Sequence, residues 1–305
     1  MGSSKPLCLI DKSIVLSIVE EEQLEQCFTV KYVDQAASDA ALFERCDAFL
    51  IHSYFPHSIL STLYQCKYIG IRAHNLDYVP TDVLPDPSIV IENIPPVAQN
   101  SVAEHVFAMV FFLAKQLGKA QHNVASGRWR KDLQPSMELY GRNLGIIGYG
   151  EIGQAVANMG RMLGMNILIA NKPGRELTEG YPLEQVLSQA DVISLHLPAR
   201  QENNAFINRE RIQGMKRGTI LINTARGSIL DYDALEDALK SGQLGGLGLD
   251  VFPTEPVRHP VDHFMTLSNV ICTPHTAYYT DRTMTQMNRH LIGKAIRFFS
   301  ETLKL

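Results

Sequence analysis

An arginine, a glutamate and a histidine stand on three short segments in the second half of the chain: Arg226 in NTARG, Glu255 in DVFPTEP and His275 in TPHTA. A guanidinium can hold a carboxylate through two parallel hydrogen bonds. An imidazole titrates near neutrality, and a carboxylate beside it favours the charged ring and fixes its tautomer. Any one of these residues alone is more often structural. Here each follows an apolar run of strand type, TILIN (219–223), GLGLDV (246–251) and NVIC (269–272). Residues just beyond the C-terminal ends of parallel strands lie where open α/β sheets bind their ligands. Together the three suit proton transfer on a small carboxylate-bearing molecule.

Upstream, GYGEIG comprises Gly148, Tyr149, Gly150, Glu151, Ile152 and Gly153. A glycine pattern alone is weak, but this one follows the strand-type run NLGII (143–147) and leads into helical spacing over 154–163. Gly148 then permits a tight turn, Gly150 lets backbone approach a dinucleotide pyrophosphate, and Gly153 lets the helix pack on the strand. The helix N-terminus offers unpaired N–H groups to the phosphates. Where an acidic residue about 20 positions on would bind the ribose 2′-hydroxyl of NAD, the run NILIA (166–170) ends instead at Asn171, followed by Lys172 and Arg175. Two cations and no carboxylate favour a 2′-phosphate, hence NADP over NAD. The competing reading makes Lys172 and Arg175 solvated turn charges.

This order of motifs resembles the D-isomer-specific 2-hydroxyacid dehydrogenase family, which includes D-lactate and phosphoglycerate dehydrogenases and glyoxylate or hydroxypyruvate reductases. The likeness runs from about Asn75 into the C-terminal region. It implies reversible, NAD(P)H-dependent reduction of a small 2-oxoacid to a D-2-hydroxyacid. Arg226 would bind the substrate carboxylate and carbonyl oxygen, Glu255 would orient and charge the histidine, and His275 would be the acid–base group. The same resemblance has Asp250 hold the nicotinamide carboxamide. Thr224, Ala225 and Ala277 would line the cofactor cleft, with His196 and Pro198 of SLHLP beside it. Asn203 stands near a position where the family often places a threonine that reaches the cofactor. A homodimer is also implied.

The substrate turn departs from the family. After KYIGIR (67–72) many members carry a glycine-rich turn whose N–H groups hold the carboxylate. This chain has Ala73, His74, Asn75 and Leu76, with asparagine, the non-glycine residue most tolerant of left-handed backbone, where a glycine is common. His74 adds a basic group to the substrate pocket or is a surface histidine. Val97 is a candidate wall residue. Arg72 and Tyr278 with Tyr279 resemble the D-lactate branch. The single tryptophan, Trp129, either packs on its own domain or reaches a neighbouring subunit's pocket, as in glyoxylate-reducing relatives.

These residues need a frame, and the hydrophobic patterning supplies one. Runs 7–10, 28–33, 47–52 and 67–72 read as strands, with helices over 13–26 and 56–65 between them. A long helix starts at Ser101, and another spans 282–302. The fold class is α/β, with two doubly wound parallel-sheet domains. A Rossmann-type cofactor domain (99–279) is inserted in a smaller flavodoxin-like substrate domain (1–98 and 280–305). At 305 residues the chain exceeds the size at which one core stops growing.

Composition narrows the function classes. A net charge of -4 provides no electrostatic reason to bind nucleic acid. Five cysteines without a CxxC pair fit a reducing compartment and no metal site. The most apolar stretch, 102–117, is broken by Glu104, His105, Lys115 and Gln116, so no membrane span is expected. Pro6 stands where a myristoylation signal wants serine or threonine, no leader is expected, and the location expected is cytoplasmic. The alternatives are an NAD(H)-sensing, corepressor-like binding protein of the same fold, or a phosphite or other small-anion dehydrogenase.

Overall fold

The computed structural model describes residues 5–34, 40–52, 54–74, 76, 79–171, 180–258 and 263–303. It divides into two compact units, Met1–Val97 with Asp281–Leu305, and Ala98–Thr280.

In the first unit, strands β1 (Leu7–Asp11), β2 (Thr29–Val33), β3 (Ala48–Ile51), β4 (Tyr68–Ile71) and β5 (Val90–Asn93) pair in the order β2-β1-β3-β4-β5, all parallel. This is the flavodoxin-like doubly wound order. Every residue of β3 and β4 is buried, which is why AFLI and YIGI read as unbroken apolar runs. Helix boundaries differ from expectation. The helix expected from Ser13 begins only at Ile18, because Ser17 caps it in a reciprocal box with Glu20. The helix expected over 56–65 shortens to His57–Leu60. Arg72 is buried and structural: it donates to Asn288 Oδ1 at 2.9 Å and to the Ser13 carbonyl at 3.3 Å, tying the C-terminal helix Asp281–Leu303 to the end of β4.

In the second unit, strands β6 (Asn143–Ile147), β7 (Asn166–Ala170), β8 (Gly180–Tyr181), β9 (Val192–Leu195), β10 (Thr219–Asn223), β11 (Leu244–Leu249) and β12 (Val270–Cys272) form one parallel sheet, ordered β12-β11-β10-β9-β6-β7-β8. The stretch from β8 to β11 has the Rossmann order, with β12 added beside β11. Chain order reverses between β6 and β9, the switch point at which such sheets bind ligands. Apolar layers cover both faces. One holds Leu187, Leu221, Leu235 and Leu239; the other holds Val106, Met109 and Val110 of the helix Gln99–Ala114 with Val156 and Ala157 of the helix Glu151–Met162. All five residues of TILIN are buried, and full burial of each aliphatic side chain contributes about 1.5–3 kcal/mol.

The long helix is two helices. Gln116, at φ 52°, breaks Gln99–Ala114 from Leu117–Ala125. Trp129 beyond it is 69% exposed, which corrects the idea of an indole packed on its own domain. Among the described residues no helix is long and apolar enough to cross a membrane.

Candidate active site

The three glycines of the turn after β6 do different work. Gly148 has φ +98°, and a Cβ there would lie 2.5 Å from the carbonyl oxygen of His196 beyond β9. A Cβ on Gly153 would collide with the carbonyl of Gly148, so the helix seats directly on the turn. Gly150 is the N-cap of Glu151–Met162 without a side-chain cap, and a Cβ there would meet nothing among the described residues within 4 Å. A helix start without a side-chain cap is the arrangement that phosphate binding requires. Tyr149 and Ile152 lean on the apolar layer, while the Glu151 carboxylate accepts from Gln99 Nε2 at 2.7 Å.

The walls around this turn are built from strand ends. Asn223, fully buried at the end of β10, accepts the N–H of Ala225 at 3.0 Å and donates to the carbonyl of Arg226 at 2.8 Å, which shapes NTARG. Thr224 Oγ1 is buried and has no hydrogen-bond partner among the described residues. A buried orphan hydroxyl is costly unless a ligand satisfies it. His196 Nε2 lies 2.9 Å from Ser194 Oγ, and burial pushes its pKa down to about 3, so the ring is neutral near pH 7. Asn203 donates to the Pro198 carbonyl at 2.9 Å, joining those two positions. Asn171 follows β7, its N–H donating to the Tyr181 carbonyl at 2.9 Å. Lys172 and Arg175 lie outside the described residues. An open glycine, an uncapped helix start and an orphan hydroxyl together fit a dinucleotide.

Arg226, Glu255 and His275 come from the loops after β10, β11 and β12, three neighbours in the sheet. The guanidinium of Arg226 donates to the Ala225 carbonyl at 2.7 Å. The next residue, Gly227, presses against the Phe252–Pro253 backbone so closely that a Cβ would collide with the Phe252 carbonyl. Glu255 Oε1 accepts the Phe252 N–H at 2.9 Å, and Oε2 lies 2.6 Å from His275 Nδ1. Burial pushes the Glu255 carboxyl up. The His275 hydrogen bond, the Phe252 N–H and the charges of His275 and Arg226 outweigh it and hold the group below the usual carboxylate range. Against an ionised acceptor Nδ1 is the donor, which leaves Nε2 for proton exchange. The Tyr278 ring meets the imidazole edge-on, centroids 5.8 Å apart, while Tyr279 is 62% exposed.

Asp250 has a task beyond the one the family resemblance implies. Its carboxylate, 1% exposed, accepts from Thr273 Oγ1 at 2.6 Å, Thr276 N at 2.8 Å and Ala277 N at 2.9 Å. Its own carbonyl accepts the N–H of His275 at 2.8 Å. It staples the histidine loop, and Ala277, itself buried, takes part through its backbone. The sequence carries little signal of it, since Thr276 and Ala277 take part through backbone N–H groups that almost any residue would offer.

In the first unit, Ala73 is buried and its carbonyl accepts the Ile94 N–H at 3.2 Å. The His74 carbonyl is held by the Asn93 amide. Leu76 is 49% exposed, Val97 is half-buried, and Asn75 lies outside the described residues.

The family model for the NAD binding domain of the D-isomer specific 2-hydroxyacid dehydrogenases matches residues 107–277. The chain belongs to this family. Among its relatives in the D-2-hydroxyacid dehydrogenase family, a glyoxylate reductase of Korarchaeum cryptofilum is 37% identical over 220 residues, 69% of this chain and 66% of that protein. A glycerate dehydrogenase of Methylorubrum extorquens is 36% identical over 250 residues, 78% of each chain. The crystal structure of D-lactate dehydrogenase from Aquifex aeolicus, complexed with NAD and lactic acid, superposes with a TM-score of 0.83 at 30% identity, over 97% of this chain and 96% of that one. The two parallel sheets are thus those of a 2-hydroxyacid dehydrogenase, and the glycine turn belongs to its NAD-binding domain.

Proposed function

We propose that the protein reduces a 2-oxoacid to the D-2-hydroxyacid, reversibly, with NADPH favoured over NADH. The observation that carries this reading is the 2.6 Å contact between His275 Nδ1 and Glu255 Oε2, which leaves Nε2 as the proton donor. Arg226 clamps the substrate carboxylate and polarises the carbonyl oxygen. Protonated His275 supplies the proton to the developing alkoxide, and Glu255 stabilises the imidazolium until it does. The dinucleotide, when bound, supplies the hydride. The N–H groups that follow Gly150 hold its phosphates, Thr224 gains a partner for its hydroxyl, and His196, Pro198, Asn203 and Asp250 lie along it. Asn171, with Lys172 and Arg175, accepts a 2′-phosphate. Ala73, His74, Asn75, Leu76, Val97 and Tyr279 are assigned to the substrate by the same proposal, and a cytoplasmic homodimer completes it.

The test is an NADPH and NADH oxidation screen across glyoxylate, hydroxypyruvate, pyruvate and bulkier branched or aromatic 2-oxoacids. Turnover with at least one is expected, and His275→Ala should lower its kcat by roughly 10²- to 10⁴-fold, the range for a positioned general acid, with cofactor affinity nearly intact. Tight binding of the dinucleotide with negligible turnover across the panel would identify a sensor instead.

A further inference from the structure

His105 lies on the helix Gln99–Ala114, far along the chain from the loop that carries His275, and the mechanism above makes no use of it. Its Nε2 is 2.9 Å from Thr273 Oγ1 and 3.6 Å from Asp250 Oδ1. The protons on these three groups follow by elimination. Asp250, gripped by the N–H groups of Thr276 and Ala277, is an acceptor. The Thr273 hydroxyl, 2.6 Å from Oδ1, therefore directs its one proton at the carboxylate. Its lone pairs can then only accept, so His105 carries its proton on Nε2. The outcome is a chain of donors running one way, from His105 through Thr273 to a carboxylate that is 1% exposed.

That carboxylate governs the backbone at His275. The residue has φ +54°, in the left-handed region that L-residues avoid. Such a conformation persists only when its surroundings over-determine it. Here the surroundings are Asp250, which binds the loop at Thr273, Thr276 and Ala277 through its side chain and at His275 through its carbonyl. Bonds to a buried carboxylate are strong, and losing one donor leaves the others to hold the turn alone.

We infer that His105 is a positioning residue for the acid–base histidine, acting through Thr273 and Asp250 to hold the left-handed turn at His275. The inference rests on the reading of His275 as the proton donor. It requires a donor at position 105 rather than an apolar body of similar size.

The experiment compares His105→Leu, His105→Gln, Thr273→Val and Thr273→Ser in the full chain. Leucine at 105 and valine at 273, the latter nearly isosteric, should each lower kcat for the 2-oxoacid by on the order of tenfold through misplacement of the reacting group, with the cofactor KM nearly unchanged. Gln, which keeps an N–H donor, and Ser, which keeps the hydroxyl, should recover most of that loss. The two losses should not add, because both substitutions cut one chain. Independently of turnover, the ring nitrogen resonances of His105 should report protonated Nε2, and those of His275 should move in Thr273→Val. Unchanged kcat in His105→Leu, additive losses, or a His105 ring protonated only on Nδ1 would each overturn the inference. A parent protein inert towards every 2-oxoacid would overturn the proposed function instead, and the ring resonances would then decide this inference by themselves.

Discussion

Nδ1 of His275 and Oε2 of Glu255 are 2.6 Å apart, and the second oxygen of the same carboxylate is fixed by the Phe252 N–H. The Glu255 carboxyl is held below its ordinary range, so its pairing is fully present above that range and is lost only as the pH falls through the depressed value. Near neutrality the carboxylate is charged and accepts from Nδ1 of the ring.

Glu255→Gln removes that charge and should move the pH dependence of the reductive kcat/KM away from the parent's, since the pairing that the parent loses only at low pH is then absent throughout. A pH profile of the variant checks this. A profile that coincides with the parent's would mean that the contact does not govern proton transfer.

Arg226→Lys retains the charge but not the planar fork. The loss expected is about tenfold or more in kcat/KM for 2-oxoacids, equivalent to one charge-assisted hydrogen bond. Steady-state kinetics on both forms decide it, and equal values would show that the guanidinium is not a clamp.

Two glycines of one turn should fail differently. Gly148→Ala places a Cβ 2.5 Å from the His196 carbonyl on a backbone at φ +98°, so it should lower stability by about 2 kcal/mol or more. Gly150→Ala meets nothing among the described residues within 4 Å, so its melting temperature should stay near the parent's while the dinucleotide Kd rises. Thermal melts and fluorescence titrations separate the two effects. Unaltered cofactor affinity in Gly150→Ala would argue that phosphates do not approach that point.

Cofactor choice is testable at the end of β7. With Asn171 in place, NADPH should be preferred by about tenfold or more in kcat/KM, the value of one charge-assisted contact. Asn171→Asp should weaken NADPH by like-charge repulsion and improve NADH. A parent enzyme that already favours NADH would mean that Lys172 and Arg175 do not select the cofactor.

The strands that carry the site were the most legible part of the chain. NLGII, NILIA and TILIN match β6, β7 and β10 residue for residue, because their buried central residues form unbroken apolar runs with the polar residues at the strand ends. β5 carries little signal for the opposite reason: VIEN is an edge strand, half-exposed and mixed in polarity. Helix starts set by caps, as at Ser17, carry little hydrophobic signal, and the break falls on Gln116, a residue type that does not itself mark a turn. Arg226, Glu255 and His275 were legible as strand-end residues. The staple at Asp250 was not, since it depends on how a loop closes on itself rather than on any residue type.

Gly227 gives the site a mechanical property of its own. Because the backbone after Arg226 touches the Phe252 carbonyl with no side chain between, the loop that carries Arg226 and the segment that holds Glu255 pack directly together, as two arms of one bracket. Any larger residue at that point pries both arms apart, and substrate grip and proton delivery would be lost together rather than one at a time.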